Sequence, residues 1–281
     1  MELAIEILGR GGVVPAACAA QLVWLASRFR AAEPAGRYAA AVAIAAAFGL
    51  GYVLLPDWAA LVPQRHWQWL PYLALLAAVL GPVARAAGVQ AFERWLLALL
   101  LAVAAAWVLV PAWSDLVPAR GWSIALLAAY LLALSMALDA LPERLAGPRL
   151  LGLFALAAGA LAIVLLVSIT AKLGQVAGVA AAAIAGAWTV AGSFERNEAL
   201  LSRAAVPLYA VLVGGLAYVG AIEVPGATHW ELLVLPAAPL ALWVFAAGPL
   251  AKLQGWAALA TQIGLVLLPI VAVAAWVVLG E

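Results

Sequence analysis

Cysteine, histidine and charge are all scarce in this chain. Of 281 residues one is Cys, two are His and two are Met, and charged side chains make up 10%. The single Cys18 excludes an internal disulfide framework and leaves too few thiols for a cysteine-based zinc or iron–sulfur site. A formal net charge of +1 removes the electrostatic case for nucleic acid as a partner. The apolar runs do not alternate with polar residues, so they do not read as barrel strands.

What remains is oil. Hydrophobic residues account for 69% of the chain and mean hydropathy is +1.14. A soluble domain carries about 45–50% apolar and about 25% charged residues, so the expected solvent is lipid. Backbone polar groups at membrane depth must be satisfied within the chain, which makes helices the form such runs adopt. Ten stretches reach the roughly 20 residues a span needs: 11–27, 37–55, 69–87, 93–111, 122–140, 149–170, 174–193, 204–222, 231–249 and 255–279. Glu2 and Glu6 precede the first, where a signal peptide wants positive charge, so it reads as a retained span. The expected fold is an all-α polytopic transmembrane bundle of about ten spans, forming one membrane domain over 1–281.

Loop cations orient it. Arg28, Arg30, Arg37, Arg85, Arg94, Arg144, Arg149, Arg196, Arg203 and Lys252 fall on one side; Arg10, Arg65, Arg120 and Lys172 fall on the other. The richer side is cytoplasmic by the positive-inside rule. That predicts both termini outside, in the plasma (inner) membrane of a bacterium-like cell.

One phrase occurs twice. YVLLPDWAALVPQRHW at 52–67 returns as WVLVPAWSDLVPARGW at 107–122, and VGAIEVPGATHW at 219–230 is a weaker third copy. Inner loops rhyme as well, in AFERW at 91–95, LPERL at 141–145 and SFERN at 193–197. These predict parallel two-helix hairpin repeats of about 50–55 residues, at 37–87, 93–140, 149–193 and 204–249, flanked by spans 11–27 and 255–279. Within the hook, Pro56 and Pro111 stop helices. Trp58, Trp67, Trp69, Trp113, Trp122 and Trp230 suit the headgroup boundary, either as anchors or as the wall of an outer vestibule.

Carboxylates and cations are absent from mid-span, which argues against a pump built on buried acids and against intramembrane proteolysis. Two candidate sites stand out. Gln21, Ser135, Thr189, Thr261 and Gln262, with the helix-breaking Pro236 and Pro239, are read either as interhelical bonds and kinks or as a cytoplasm-facing pocket. Asp57, His66, Asp115, His229 and Glu231 are read either as wetted interfacial groups or as an outer-face acid–base or metal cluster. No cofactor is expected. Gly174, Gly178, Ala182 and Gly186 form a small-residue stripe for close helix approach, within the chain or to a membrane-protein partner or second copy; Gly178→Leu is expected to disrupt it.

The function expected first is a permease or exporter for small uncharged or amphipathic molecules. A non-catalytic membrane subunit or scaffold and an outer-face lipid-modifying enzyme are the alternatives. If lipid is the solvent, the chain will purify as a monodisperse particle only with surfactant, and an epitope fused to its N-terminus will be accessible to antibody on intact cells. Aqueous monodispersity or a protected epitope contradicts these expectations.

Overall fold

The computed structural model describes residues 9–28, 39–55, 62–84, 89–113, 116, 118–142, 145, 149–191, 198–224 and 228–279. Every regular element among them is helical. In chain order these are α1 (Val14–Arg28), α2 (Ala39–Leu54), α3 (Leu70–Val83), α4 (Ala91–Leu109), α5 (Arg120–Asp139), α6 (Arg149–Val164), α7 (Ala171–Ala191), α8 (Glu198–Glu223), α9 (Val234–Ala237), α10 (Leu242–Ala247) and α11 (Gly255–Leu279). A 3-10 turn at His66–Trp69 leads into α3, and π turns lie at Gly9–Val13 and Leu165–Ile169.

Among the described residues, seven stretches are long and apolar enough to cross a membrane: 91–109, 120–139, 149–169, 171–191, 203–223, 230–247 and 255–277. Two shorter apolar helices cover 11–26 and 40–54. The protein is therefore a membrane-embedded helical bundle.

The bundle is built around α8. Every residue from Ala204 to Ile222 is buried, and seven helices touch it: α2 to α7 and α9. At about 1.5 Å per residue it runs close to 39 Å, longer than a bilayer's hydrocarbon core. Glycines let its neighbours approach. A Cβ at Gly215 would lie 2.7 Å from Leu109 and 3.3 Å from Leu70, and one at Gly214 would lie 2.9 Å from Leu131. Phe154 of α6 stacks flat on Tyr209 of α8, with ring centroids 3.9 Å apart.

On one flank α1, α2, α6 and α7 pack together; on the other, α3, α4 and α5. α11 lies against α6, α9, α10 and the turn at Ala238–Ala241. Contacts at the helix ends fix relative direction for two pairs. Tyr52 at the end of α2 meets Trp67 at the start of α3, while Asp139 at the end of α5 meets Arg203 near the start of α8. The bundle thus has a His66 end and an Arg203 end.

The small-residue stripe on α7 serves the chain itself at two of its four positions. A Cβ at Gly186 would run into the Ala16 carbonyl of α1, and one at Gly174 would meet Leu166 backbone. At Gly178 it would meet nothing within 4 Å, so the sensitive position is Gly186 rather than Gly178. Gly186→Ala should cost on the order of 1–3 kcal/mol by overpacking and lower the melting temperature in detergent, whereas Gly178→Ala should leave it unchanged. Equal melting temperatures would contradict the α1–α7 contact.

Candidate functional site

Two clefts open on the same group of helices, α3, α4, α5 and α8, at opposite ends. At the Arg203 end the cleft is about 220 Å³, walled by Leu80 and Gly81 of α3, Arg94, Trp95 and Leu101 of α4, Ser135 and Asp139 of α5, and Pro207 of α8. Asp139 accepts from Arg203 Nε and Nη2 at 3.2 and 3.1 Å. Pro207 has no N–H to offer the carbonyl of Arg203 one turn earlier, which loosens α8 where it meets this cleft.

At the His66 end the cleft is about 490 Å³. Gln64, Arg65 and His66 come from the first sequence hook, Trp107, Pro111, Trp113 and Arg120 from the second, and Glu223 from the third. The hooks therefore meet in space. His66 presents its ring edge-on to Trp113, with centroids 5.4 Å apart, and the Arg120 guanidinium lies 5.1 Å over the Trp107 ring. His66 Nε2 stands 3.5 Å from Glu223 Oε2, near enough for charge attraction but without a formed hydrogen bond. His66 Nε2, Arg120 Nε and Glu223 Oε2 are all buried and without a hydrogen-bond partner. The His66 side chain is only 10% exposed. Open buried polar atoms are costly, at about 1–3 kcal/mol each, and three in one cleft mark a place built for something polar.

The seam between the clefts is filled. Leu70 and Leu109 close on Gly215, and Leu131 closes on Gly214, midway along α8 between Pro207 and Glu223. Along α4 only Leu101 to Trp107 separates the two linings, about 9 Å of helix.

The sequence candidates are dispersed. Of the first group, Ser135 alone lines either cleft. Gln21 and Thr189 are exposed on the outside of their helices. Thr189 and Thr261 donate to their own helix, to the carbonyls of Gly186 and Ala257, both at 2.8 Å, so neither hydroxyl needs a pocket. Gln262 is buried, 1% exposed, with its Oε1 unpartnered.

Pro236 and Pro239 do break the ninth segment, which passes from 3-10 (Trp230–Leu233) to α9, back to 3-10 (Ala238–Ala241), and then to α10. Its backbone is tied by residues that sequence reading passed over. Tyr130 Oη donates to the Leu233 carbonyl at 2.7 Å and Tyr209 Oη to that of Pro236 at 2.9 Å, while Trp243 Nε1 donates to Ala137 at 3.0 Å. These two carbonyls are occupied from within.

In the second group, His229 Nδ1 pairs with Glu231 at 2.9 Å, while His66 faces Glu223. Asp57 and Asp115 lie outside the described residues. Among the described residues no three His, Cys, Asp or Glu side chains are grouped to hold a metal ion. Trp67 departs from the boundary expectation. It is 4% exposed, packed edge-on against Tyr52 and beneath Lys172 Nζ at 5.4 Å, because the 3-10 turn rotates it inward. Trp69, Trp113, Trp122 and Trp230 remain exposed, and Trp58 lies outside the described residues.

No protein-family model, curated protein or solved structure matches the chain.

If the tyrosine ties hold the broken segment, Tyr209→Phe leaves the ring stacked and the Pro236 carbonyl bare. The expected loss is about 0.5–1.5 kcal/mol, read as reduced resistance to denaturation in detergent. No change would mean that the tie adds nothing.

Proposed function

We infer that this protein is a permease for small amphipathic molecules, with its pathway along the seam of α3, α4, α5 and α8. The observation that carries the reading is the pair of clefts at opposite ends of one seam, parted by a few packed leucines on bare glycine backbone. A scaffold has no use for such a pair. A permease needs an entry, an exit and a thin closure between them, set near the middle of the membrane. Mixed linings suit an amphipathic cargo. Each cleft offers aromatic or aliphatic wall beside a few polar groups, Arg94 and Ser135 at one end and Arg65, Arg120, His66 and Glu223 at the other.

In this reading the chain crosses ten times in the plasma (inner) membrane of a bacterium-like cell, with both termini and the His66 end outside. Support comes from the ten-to-four division of Lys and Arg between the two sets of loops in the sequence. Parallel hairpin units fit the same topology, since two crossings restore orientation. The enzyme alternative draws no support from His66 and His229, which engage separate carboxylates.

Cysteine accessibility tests the pathway. With Cys18→Ala as background, Ala112→Cys in the larger cleft should react with a membrane-impermeant thiol reagent from outside only, and Ser135→Cys from inside only. Ala105→Cys, fully buried on α4 between the clefts, should react slowly from both sides as the closure shifts. An Ala105→Cys variant that folds normally yet stays inert from both sides would leave a static bundle and sink the permease reading.

A further inference from the structure

The open atoms of the His66-end cleft specify the polar head it accepts. Arg120 Nε only donates, a Glu223 carboxylate oxygen only accepts, and His66 Nε2 does either according to its tautomer. A purely anionic group would satisfy Arg120 but set a second negative charge against Glu223. A purely cationic group would satisfy Glu223 but face Arg65 and Arg120 across the same cleft. A head carrying both charges satisfies every open atom at once. The Trp107 face is taken by Arg120, and the Trp113 indole beside His66, the neighbour of Glu223, adds an aromatic wall that suits an ammonium. The exposed rings of Trp69 and Trp113 line the cleft mouth, and indole rings favour headgroup depth, where a lipid would reach the cleft from the side.

We propose that this cleft binds a phosphoethanolamine head, with its phosphate on Arg120 and Arg65 and its ammonium on Glu223 beside the indoles. Arginine suits the phosphate because its planar donors match two oxygens together. The proposal names the cargo class of the permease reading and rests on it only for onward movement; binding stands apart from transport.

Isothermal titration of the purified full chain in a non-ionic detergent tests it, using short-chain phosphatidylethanolamine, phosphatidylglycerol of equal chain length, and free O-phosphoethanolamine. Removing any one charged partner of the head is expected to weaken binding about tenfold. The wild-type protein should prefer phosphatidylethanolamine over phosphatidylglycerol by at least that factor. Glu223→Gln should erase the preference, weakening phosphatidylethanolamine and relieving the repulsion that opposes phosphatidylglycerol, and Arg120→Gln should weaken both lipids. Saturable binding of the free head as tightly as the lipid assigns the site to a soluble phosphoethanolamine compound; binding through the lipid alone assigns it to the bilayer. If Arg120→Gln does not fold, Arg120→Lys keeps the charge but loses the Nε donor and the planar fork, and should still weaken both.

Equal affinity for the two lipids, a preference for phosphatidylglycerol, or a phosphatidylethanolamine preference that survives Glu223→Gln overturns the proposal. Head-group binding with an inert Ala105→Cys would keep this site and discard the permease. Reactivity of Ala105→Cys without binding would do the reverse.

Discussion

A helix with no face toward lipid governs this structure. Between Ala204 and Ile222 α8 is buried on all sides, so its neighbours must agree with it all the way round. In a bilayer no hydrophobic gain rewards helix association, since lipid tails are as apolar as leucine; contact rests on close fit. The small residues of α8 supply that fit. Gly214, Gly215 and Gly220 take Leu131, Leu109 and Leu165 against bare backbone, and alanines such as Ala204, Ala210 and Ala217 fill other turns. A centre packed in this way has no room for a binding site. The charged groups Arg203 and Glu223 stand near its two ends, and both clefts form at its flanks.

The treatment of polar groups separates scaffold from site. The proline-broken segment frees backbone, and the fold answers with Tyr130 of α5 and Tyr209 of α8, which donate to its carbonyls, while Trp243 of the segment donates in return to Ala137 of α5. Those bonds make the break part of the frame. At the His66 end the opposite holds. Arg120, His66 and Glu223 are drawn together and left with open atoms, although Gln68 nearby spends its side-chain oxygen on the backbone N–H groups of Gln64 and Arg65. Tyr218 Oη and Gln262 Oε1 are also buried without a hydrogen-bond partner, but neither lines this cleft, where three such atoms gather.

Much of the architecture was legible from composition alone, because a water-facing surface could not be made from these residues. The broken segment at Pro236 and Pro239 was legible too, since proline acts locally. Faces were not. In a soluble helix the apolar stripe marks the core; in α2, AAAVAIAAAFGLGYVL gives no stripe to follow, because core and lipid ask for the same residues. Gln21 and Thr189 could therefore not be told from inward groups, and Trp67 could not be told from Trp69, two positions on. Nothing in the sequence pairs Glu223 with His66, 157 positions away; only the packing of α3 on α8 joins them.

The two similar hook segments bring their cations into one cleft. Arg65 and Arg120 hold the same place in the two copies, 55 residues apart, and both line one cleft. Their surroundings have nevertheless diverged: His66 follows the first and Gly121 the second, and Trp67 is buried where its counterpart Trp122 is exposed. Two cations contributed from equivalent positions would repel each other unless a negative group sat among them. The third, weaker copy supplies it as Glu223. A lone carboxylate against two guanidinium groups leaves an excess of positive charge even when His66 is neutral. That excess is what an incoming anionic oxygen would meet, while the same carboxylate keeps a place for a donor. On the proposed head-group binding, the asymmetry among the hooks, rather than their likeness, would set the cleft's selectivity.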